Sequence, residues 1–298
     1  MKQISSTLFR GVCTALATPF LDGGIDWDAL AEMIEEQIAG GVSAICVCGT
    51  TGEAATLSDG ERLQLVARAA ELIDGRVDYV VGVGSPSTSR SVSYARFAAA
   101  NGADALLVVT PYYNKATQNG LVAHFTAVAD VSAVPVILYN VPSRTGCNIL
   151  PGTAAQLAKH PNIVAIKEAT GNMAQMVELR ALCGDQLDIY SGEDALTVPM
   201  MAMGAKGTIS VLSDVIPRQA VEMTDACRAG DFEKAAALQW KFLPLINALF
   251  SQVNPIPAKA AASAMGFGRE YLRLPLTPME DAPRAVLLEE MRKLGVRV

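Results

Sequence analysis

The sequence predicts an α/β protein folded as a (β/α)8 TIM barrel with a helical C-terminal appendage. Three observations predict it. Short apolar, β-rich runs recur along the chain, beginning near Val12, Ala44, Tyr79, Ala105, Pro135, Ile163, Leu187 and Gly207. Helical patterns fill most of the intervals between them. No linker or shift in composition divides the series, which suits one closed sheet of alternating strands and helices. An open doubly wound sheet is the alternative. It would need fewer strands per domain and a boundary near the middle.

In the first interval Leu30, Met33, Ile34 and Ile38 share one helix face. In the second, Ser58-Asp-Gly-Glu61 is a capping box ahead of Leu63, Leu65 and Val66. In the third, a helix from Thr88 to Ala100 stops at Asn101-Gly102. Further helices are expected over Gly120–Asp130, Pro151–Lys159, Met173–Cys183, Asp194–Met203 and Pro217–Ala229. After Gly230-Asp231 only helical patterns remain: Phe232–Phe250, Ile256–Met265 and Met279–Leu294. Residues 1–229 are therefore read as the barrel and 230–298 as a helical region packed on it.

The 298 residues are 51% apolar and 18% charged, which marks a globular chain with a large core. The net charge of -6 lacks the basic footprint that nucleic acid requires. No apolar run reaches the length of a membrane span. Lys2 and Arg10 before an apolar stretch, with Ala15-Leu16-Ala17, suggest a leader peptide. However, Arg10 leaves too short an apolar core, and Gly11 to Ala17 reads as the first strand. A cytoplasmic protein is expected. The six cysteines agree, since most stand in apolar contexts. Cys46 and Cys48, two apart on one strand, are expected on one face. His124 and His160 lie on other segments, so no metal site is expected.

In such barrels chemistry gathers at the carboxyl ends of the strands. The sixth run, Ile163 to Lys167, is apolar until it ends in a lysine. Burying an ammonium costs several kcal/mol, so Lys167 is either paired or an amine nucleophile. Glu168 is the nearest candidate partner, but neighbours on a strand face opposite ways. The second run enters Gly49-Thr50-Thr51-Gly52-Glu53, a turn with free amides and two hydroxyls. It suits a carboxylate or phosphate, and equally an ordinary loop. The third ends in Gly82-Val-Gly84, but Ser87 replaces the third glycine of a dinucleotide fingerprint.

The fourth run ends in Thr110-Pro-Tyr112-Tyr113-Asn114. Adjacent tyrosines in extended chain diverge, so at most one serves this subunit's site; core packing is the alternative. Tyr139 ends the fifth run as a possible proton relay. Arg144, on the loop that follows, suits bidentate capture of a carboxylate, or is an ordinary surface arginine. Ser191-Gly192-Glu193-Asp194 and Ile209-Ser210 end the seventh and eighth runs, offering backbone more than chemistry. Glu193 and Asp194 are read as acids favoured at a helix start. The set suits imine formation between Lys167 and a keto acid.

These motifs together resemble the dihydrodipicolinate synthase/N-acetylneuraminate lyase family. The matching segments are Gly49–Glu53, Thr110–Asn114, Tyr139–Gly146, Ile166–Gly171 and Asn254–Pro257, in order and across essentially the whole chain. The resemblance is strongest to the branch that condenses pyruvate with L-aspartate 4-semialdehyde in lysine and diaminopimelate biosynthesis. It implies a pyruvate Schiff base on Lys167 and no separate cofactor. It implies that Thr50 and Thr51 hold the pyruvate carboxylate, and that Thr50, Tyr139 and a neighbouring subunit's Tyr113 relay protons. Arg144 would bind the semialdehyde carboxylate, and Gly192 and Ile209 would line the pocket through backbone groups. A homotetramer built as a dimer of dimers is implied as well.

Many relatives bind lysine as a feedback inhibitor beside the equivalent of Tyr112. The other positions of that site here hold Asp59, Arg62, Pro86 and Arg90, so weak or no lysine inhibition is expected. Two rivals remain: a pyruvate-dependent retro-aldolase acting on a sugar keto acid, and a non-catalytic paralogue that binds a keto acid.

Overall fold

The computed structural model describes residues 7–298. Lys2, part of the leader reading, lies outside them, as do the first six residues of the expected barrel. Eight parallel strands close into a barrel in which each pairs with the next and the last with the first. They are β1 Gly11–Ala15, β2 Ala44–Val47, β3 Asp78–Gly82, β4 Ala105–Val109, β5 Val136–Asn140, β6 Ile163–Glu168, β7 Asp188–Ser191 and β8 Gly207–Ser210. Each begins within a residue of its expected start. A small antiparallel pair, Phe20–Leu21 with Gly24–Ile25, follows β1 and was not signalled by the sequence pattern.

Helices fill the intervals: α1 Trp27–Ala39, α2 Asp59–Ile73, α3 Thr88–Ala100, α4 Gln118–Val131, α5 Pro151–Leu157, α6 Met173–Cys183, α7 Thr197–Ala202 and α8 Pro217–Arg228. Beyond the barrel come α9 Phe232–Leu249, α10 Ile256–Ala264 and α11 Asp281–Lys293. Among the described residues no helix is long and apolar enough to cross a membrane. The capping box at α2 is formed, with Ser58 and Glu61 each bonding the other's backbone N–H. The expected helix over Asp194–Met203 is split, its first turn being a 3-10 turn, Asp194–Leu196, ahead of α7.

Alternation along the strands sorts the core into two shells. Cys13, Ala15, Ala44, Cys46, Ala105, Leu107, Ile137, Tyr139, Ala165, Tyr190 and Ile209 point into the barrel. Val12, Ile45, Val47, Leu106, Val108, Val136, Leu138, Ile166 and Ile189 point out to the helices. The interior side chains are mostly small, because the barrel lumen leaves little room. Closure is tight where β1 meets β8: a Cβ on Gly207 would lie 1.9 Å from the Gly11 carbonyl oxygen.

Cys48 departs from the expectation that it shares a face with Cys46. Strand β2 ends at Val47, and Cys48 adopts a left-handed φ of 56°. The turn into the threonine loop breaks the alternation, and Cys48 packs with the outer shell while Cys46 stays inside. All six cysteines are buried and unpaired.

The C-terminal helices reach the mouth of the barrel. Lys259 of α10 forms a buried ion pair with Glu53, Nζ to Oε1 2.5 Å. The second oxygen of Glu53 accepts the Arg273 amide at 3.3 Å. Asn254 donates to the Thr51 hydroxyl at 3.0 Å. The threonine loop is thus clamped from the far end of the chain. Removing one partner of such a pair strands a buried charge, so Lys259→Met should cost about 3–5 kcal/mol. Adding Glu53→Gln should restore most of that loss, as read from urea midpoints; equal stability of wild type and Lys259→Met would refute the clamp.

Candidate active site

Lys167 and Tyr139 lie side by side because β5 and β6 pair them in register. Lys167 shares its parity with Ala165 and Ala169, both interior residues, so its side chain rises inside the barrel. It is only 5% exposed, and its Nζ sits 4.6 Å from the Tyr139 ring centre. Such an approach stabilises a cation modestly. Glu168 points outward, where its carboxylate accepts from Asn140 Nδ2 at 3.1 Å and the Thr170 amide at 2.8 Å. Glu168 is therefore no partner for Lys167, and among the described residues Lys167 forms no ion pair.

A cavity of about 130 Å³ opens beside the amine. Thr50, Thr51, Tyr139, Arg144, Lys167 and Gly192 all border it. Thr51 is held by Asn254, which leaves Thr50 at the rim of both this cavity and a wider outer cleft. That cleft measures about 330 Å³ and carries Tyr112 and Arg144 on its walls. Arg144 is exposed on a helical turn, Pro142–Thr145, where a loop was expected. It stands between the inner cavity and the cleft.

Two expected site residues stand apart from this cluster. Ile209 is buried in the interior core, and Val211 borders the cavity in its place. Tyr113 is 94% exposed. Its φ of 73° is left-handed, so the two tyrosines diverge through a turn rather than along extended chain. Tyr112 turns into the cleft of its own chain, while Tyr113 projects outward.

The acids after β7 depart from the reading as helix-start charges. Asp194 is fully buried and accepts the amides of Val211 and Leu212 at 2.9 and 2.8 Å. It ties the end of β7 to the loop after β8, and burial raises its pKa. Asp214 does the same for β1, accepting the Ala17 amide at 3.1 Å, with its pKa raised well above the usual range by burial. Nothing in the local pattern distinguished these two from surface acids. Glu193 borders the lysine cavity, and burial followed by the Asp194 charge raises its pKa. Cys46 also borders the cavity, but burial pushes its thiol up to about 12. It remains protonated near neutrality and is no nucleophile. The cavity also offers the Lys167 amine, a group capable of imine chemistry with a keto acid.

A family model described as the dihydrodipicolinate synthetase family matches residues 8–293. A 4-hydroxy-tetrahydrodipicolinate synthase of Geobacter sulfurreducens is 50% identical over 286 residues, 96% of this chain and 99% of that one. That of Lachnoclostridium phytofermentans is 49% identical over 291 residues, 97% and 99% of the two chains. The solved dihydrodipicolinate synthase of Aquifex aeolicus superposes with a TM-score of 0.96 at 41% identity, over 97% of this chain and 99% of that one. The Acinetobacter baumannii enzyme, solved in complex with pyruvate, gives 0.94 at 40% identity, over 96% and 99%.

Gly192 is where the cavity leaves no room for a side chain. A Cβ there would lie 3.0 Å from Lys167 Cε and 2.6 Å from Ala169 Cβ. Gly192→Ala should therefore displace the amine and slow keto-acid imine formation by roughly 10²-fold. Stopped-flow or mass-spectrometric trapping would measure it, with circular dichroism to confirm an intact fold. An unchanged rate would show that the reacting carbon does not sit beside this glycine.

Proposed function

The chain belongs to the dihydrodipicolinate synthetase family, and from that membership we propose that Lys167 is the amine that binds pyruvate covalently. The reaction catalysed is the condensation of pyruvate with L-aspartate 4-semialdehyde to 4-hydroxy-tetrahydrodipicolinate, a step of lysine biosynthesis. The single observation that carries the role of Lys167 is its burial beside a small cavity with the adjacent carboxylate turned away. Attack on a ketone needs a neutral amine. The iminium then draws electrons from the pyruvate methyl carbon, which becomes the enamine nucleophile.

Thr50 and Tyr139 border the same cavity and pass protons to and from the imine carbon substituents. Thr51, oriented by Asn254, holds the pyruvate carboxylate together with loop amides. Gly192 and the backbone around Ile209 complete the pocket wall. Arg144, exposed between the inner cavity and the cleft, meets the semialdehyde carboxylate. Tyr113, directed away from its own chain, completes the relay of a neighbouring subunit. The assembly is a homotetramer, a dimer of dimers. Trp240 of α9 is 71% exposed and Met203 follows α7, a helix packed against α9, so a second apolar face is available. Residues 1–229 act as the catalytic barrel and 230–298 as its clamp. Six unpaired cysteines support a reducing, cytoplasmic setting.

Incubation with pyruvate and borohydride should add one reduced pyruvyl group to the wild type and none to Lys167→Ala. Intact mass reads this directly, and an equal adduct on both proteins would move the nucleophile elsewhere.

Lysine is not expected to inhibit. Arg62 stacks over Tyr94 at 4.5 Å and donates to the carbonyls of Gly82 and Ala54 at 2.9 and 2.8 Å. Asp59 accepts from the Tyr94 hydroxyl and from Arg90. Asp59 is thus occupied by Tyr94 and Arg90, and two guanidiniums repel an incoming ammonium. Initial rates should be unchanged in millimolar lysine; inhibition below that concentration would overturn this reading.

A further inference from the structure

Glu193 is the one acid that borders the lysine cavity. Its backbone is fixed by Ser191, whose hydroxyl donates to the Glu193 carbonyl at 2.8 Å and accepts the Glu193 amide at 3.3 Å. Among the described residues its carboxylate takes part in no ion pair, although Arg144 and Lys167 border the same cavity. By contrast its neighbour Asp194 is consumed by two backbone amides. The cavity thus presents a guanidinium, an amine and a half-buried carboxylate to whatever enters after pyruvate.

The second substrate carries three groups: an aldehyde, a carboxylate and an ammonium. Arg144 suits the carboxylate, and the enamine suits the aldehyde. Among the described residues Glu193 is the one anionic group on the cavity wall to meet the ammonium. Resting on the Lys167 reading above, we propose that Glu193 receives the ammonium of L-aspartate 4-semialdehyde and accepts the proton it sheds before ring closure.

The ammonium gives one proton to the Glu193 carboxylate and becomes an amine. Its lone pair forms the C–N bond to the iminium carbon. The bond from that carbon to Lys167 Nζ then breaks, and Nζ keeps the electron pair. Lys167 takes the two protons left on the incoming nitrogen and departs as an ammonium, leaving a neutral cyclic imine. Glu193 returns its proton to solvent. Burial raises the pKa of Glu193, as does Asp194, while Lys167 and Arg144 lower it and Glu168 raises it slightly. A carboxylate of raised pKa is a better proton acceptor than a free one.

The test compares wild type with Glu193→Gln and Glu193→Asp. Borohydride trapping of the pyruvyl adduct should be retained in all three, since the acid is not needed for the first imine. For Glu193→Gln, kcat/KM for the semialdehyde should fall about 30-fold or more, the size expected for losing a desolvated charge partner. Inhibition by succinate semialdehyde, which keeps the aldehyde and carboxylate but lacks the amine, should change less than about twofold, because no interaction with it is lost. Glu193→Asp should recover part of the rate. A Glu193→Gln enzyme with wild-type kcat/KM would overturn the proposal. So would an equal loss toward both aldehydes, which would indicate a structural role. Absence of the adduct in the wild type would instead overturn the assignment of Lys167.

Discussion

The alternation of side chains along β6 is the constraint on which the site depends. Because Ala165, Lys167 and Ala169 share one parity, the amine is carried into the barrel with two small side chains for neighbours. The same parity sends Glu168 outward to Asn140 and Thr170. Had the strand slipped by one residue, the acid would face the cavity and the amine the helices. The register with β5 then places the Tyr139 ring against the lysine. The amine is buried and, among the described residues, forms no ion pair.

Around this amine the loops are held by polar contacts rather than by regular structure. Asp194 and Asp214 each give up solvent to bind backbone amides that strands leave unpaired at their carboxyl ends. Lys259 and Glu53 do the same for the threonine loop, at the expense of burying two charges. Burial lowers the pKa of Lys259 while the Glu53 carboxylate opposes that fall. The mouth of the barrel is therefore held by buried polar contacts on three sides. Its fourth side is the exposed Arg144 turn and the outer cleft.

The fold was legible because the strands and helices each carry their own period. Eight apolar runs with helical intervals admit few arrangements, and the observed strand starts fall within a residue of the expected ones. The capping box at α2 and the glycine stops are local chemistry and were readable for the same reason. Which residues gather at one rim was legible as well. Lys167 and Tyr139 lie near the ends of their strands, Thr50, Thr51 and Arg144 lie on the segments that follow strands, and a closed barrel brings these together around one cavity.

What escaped the sequence depended on contacts between distant segments or on turns that break a period. The Lys259–Glu53 and Asn254–Thr51 contacts join residues 206 and 203 positions apart. No local pattern reports such separations. Cys48 and Tyr113 left their expected faces through left-handed turns, which the alternation rule does not cover. Asp194 and Glu193 are adjacent acids with the same local context, yet one is consumed by backbone amides and the other borders the cavity. By itself the sequence determined the barrel and which side chains gather at its rim, because period and strand-end position are properties of a segment. Only the tertiary structure decided which acid is spent and which clamps hold the rim, because burial and pairing are properties of the closed barrel as a whole.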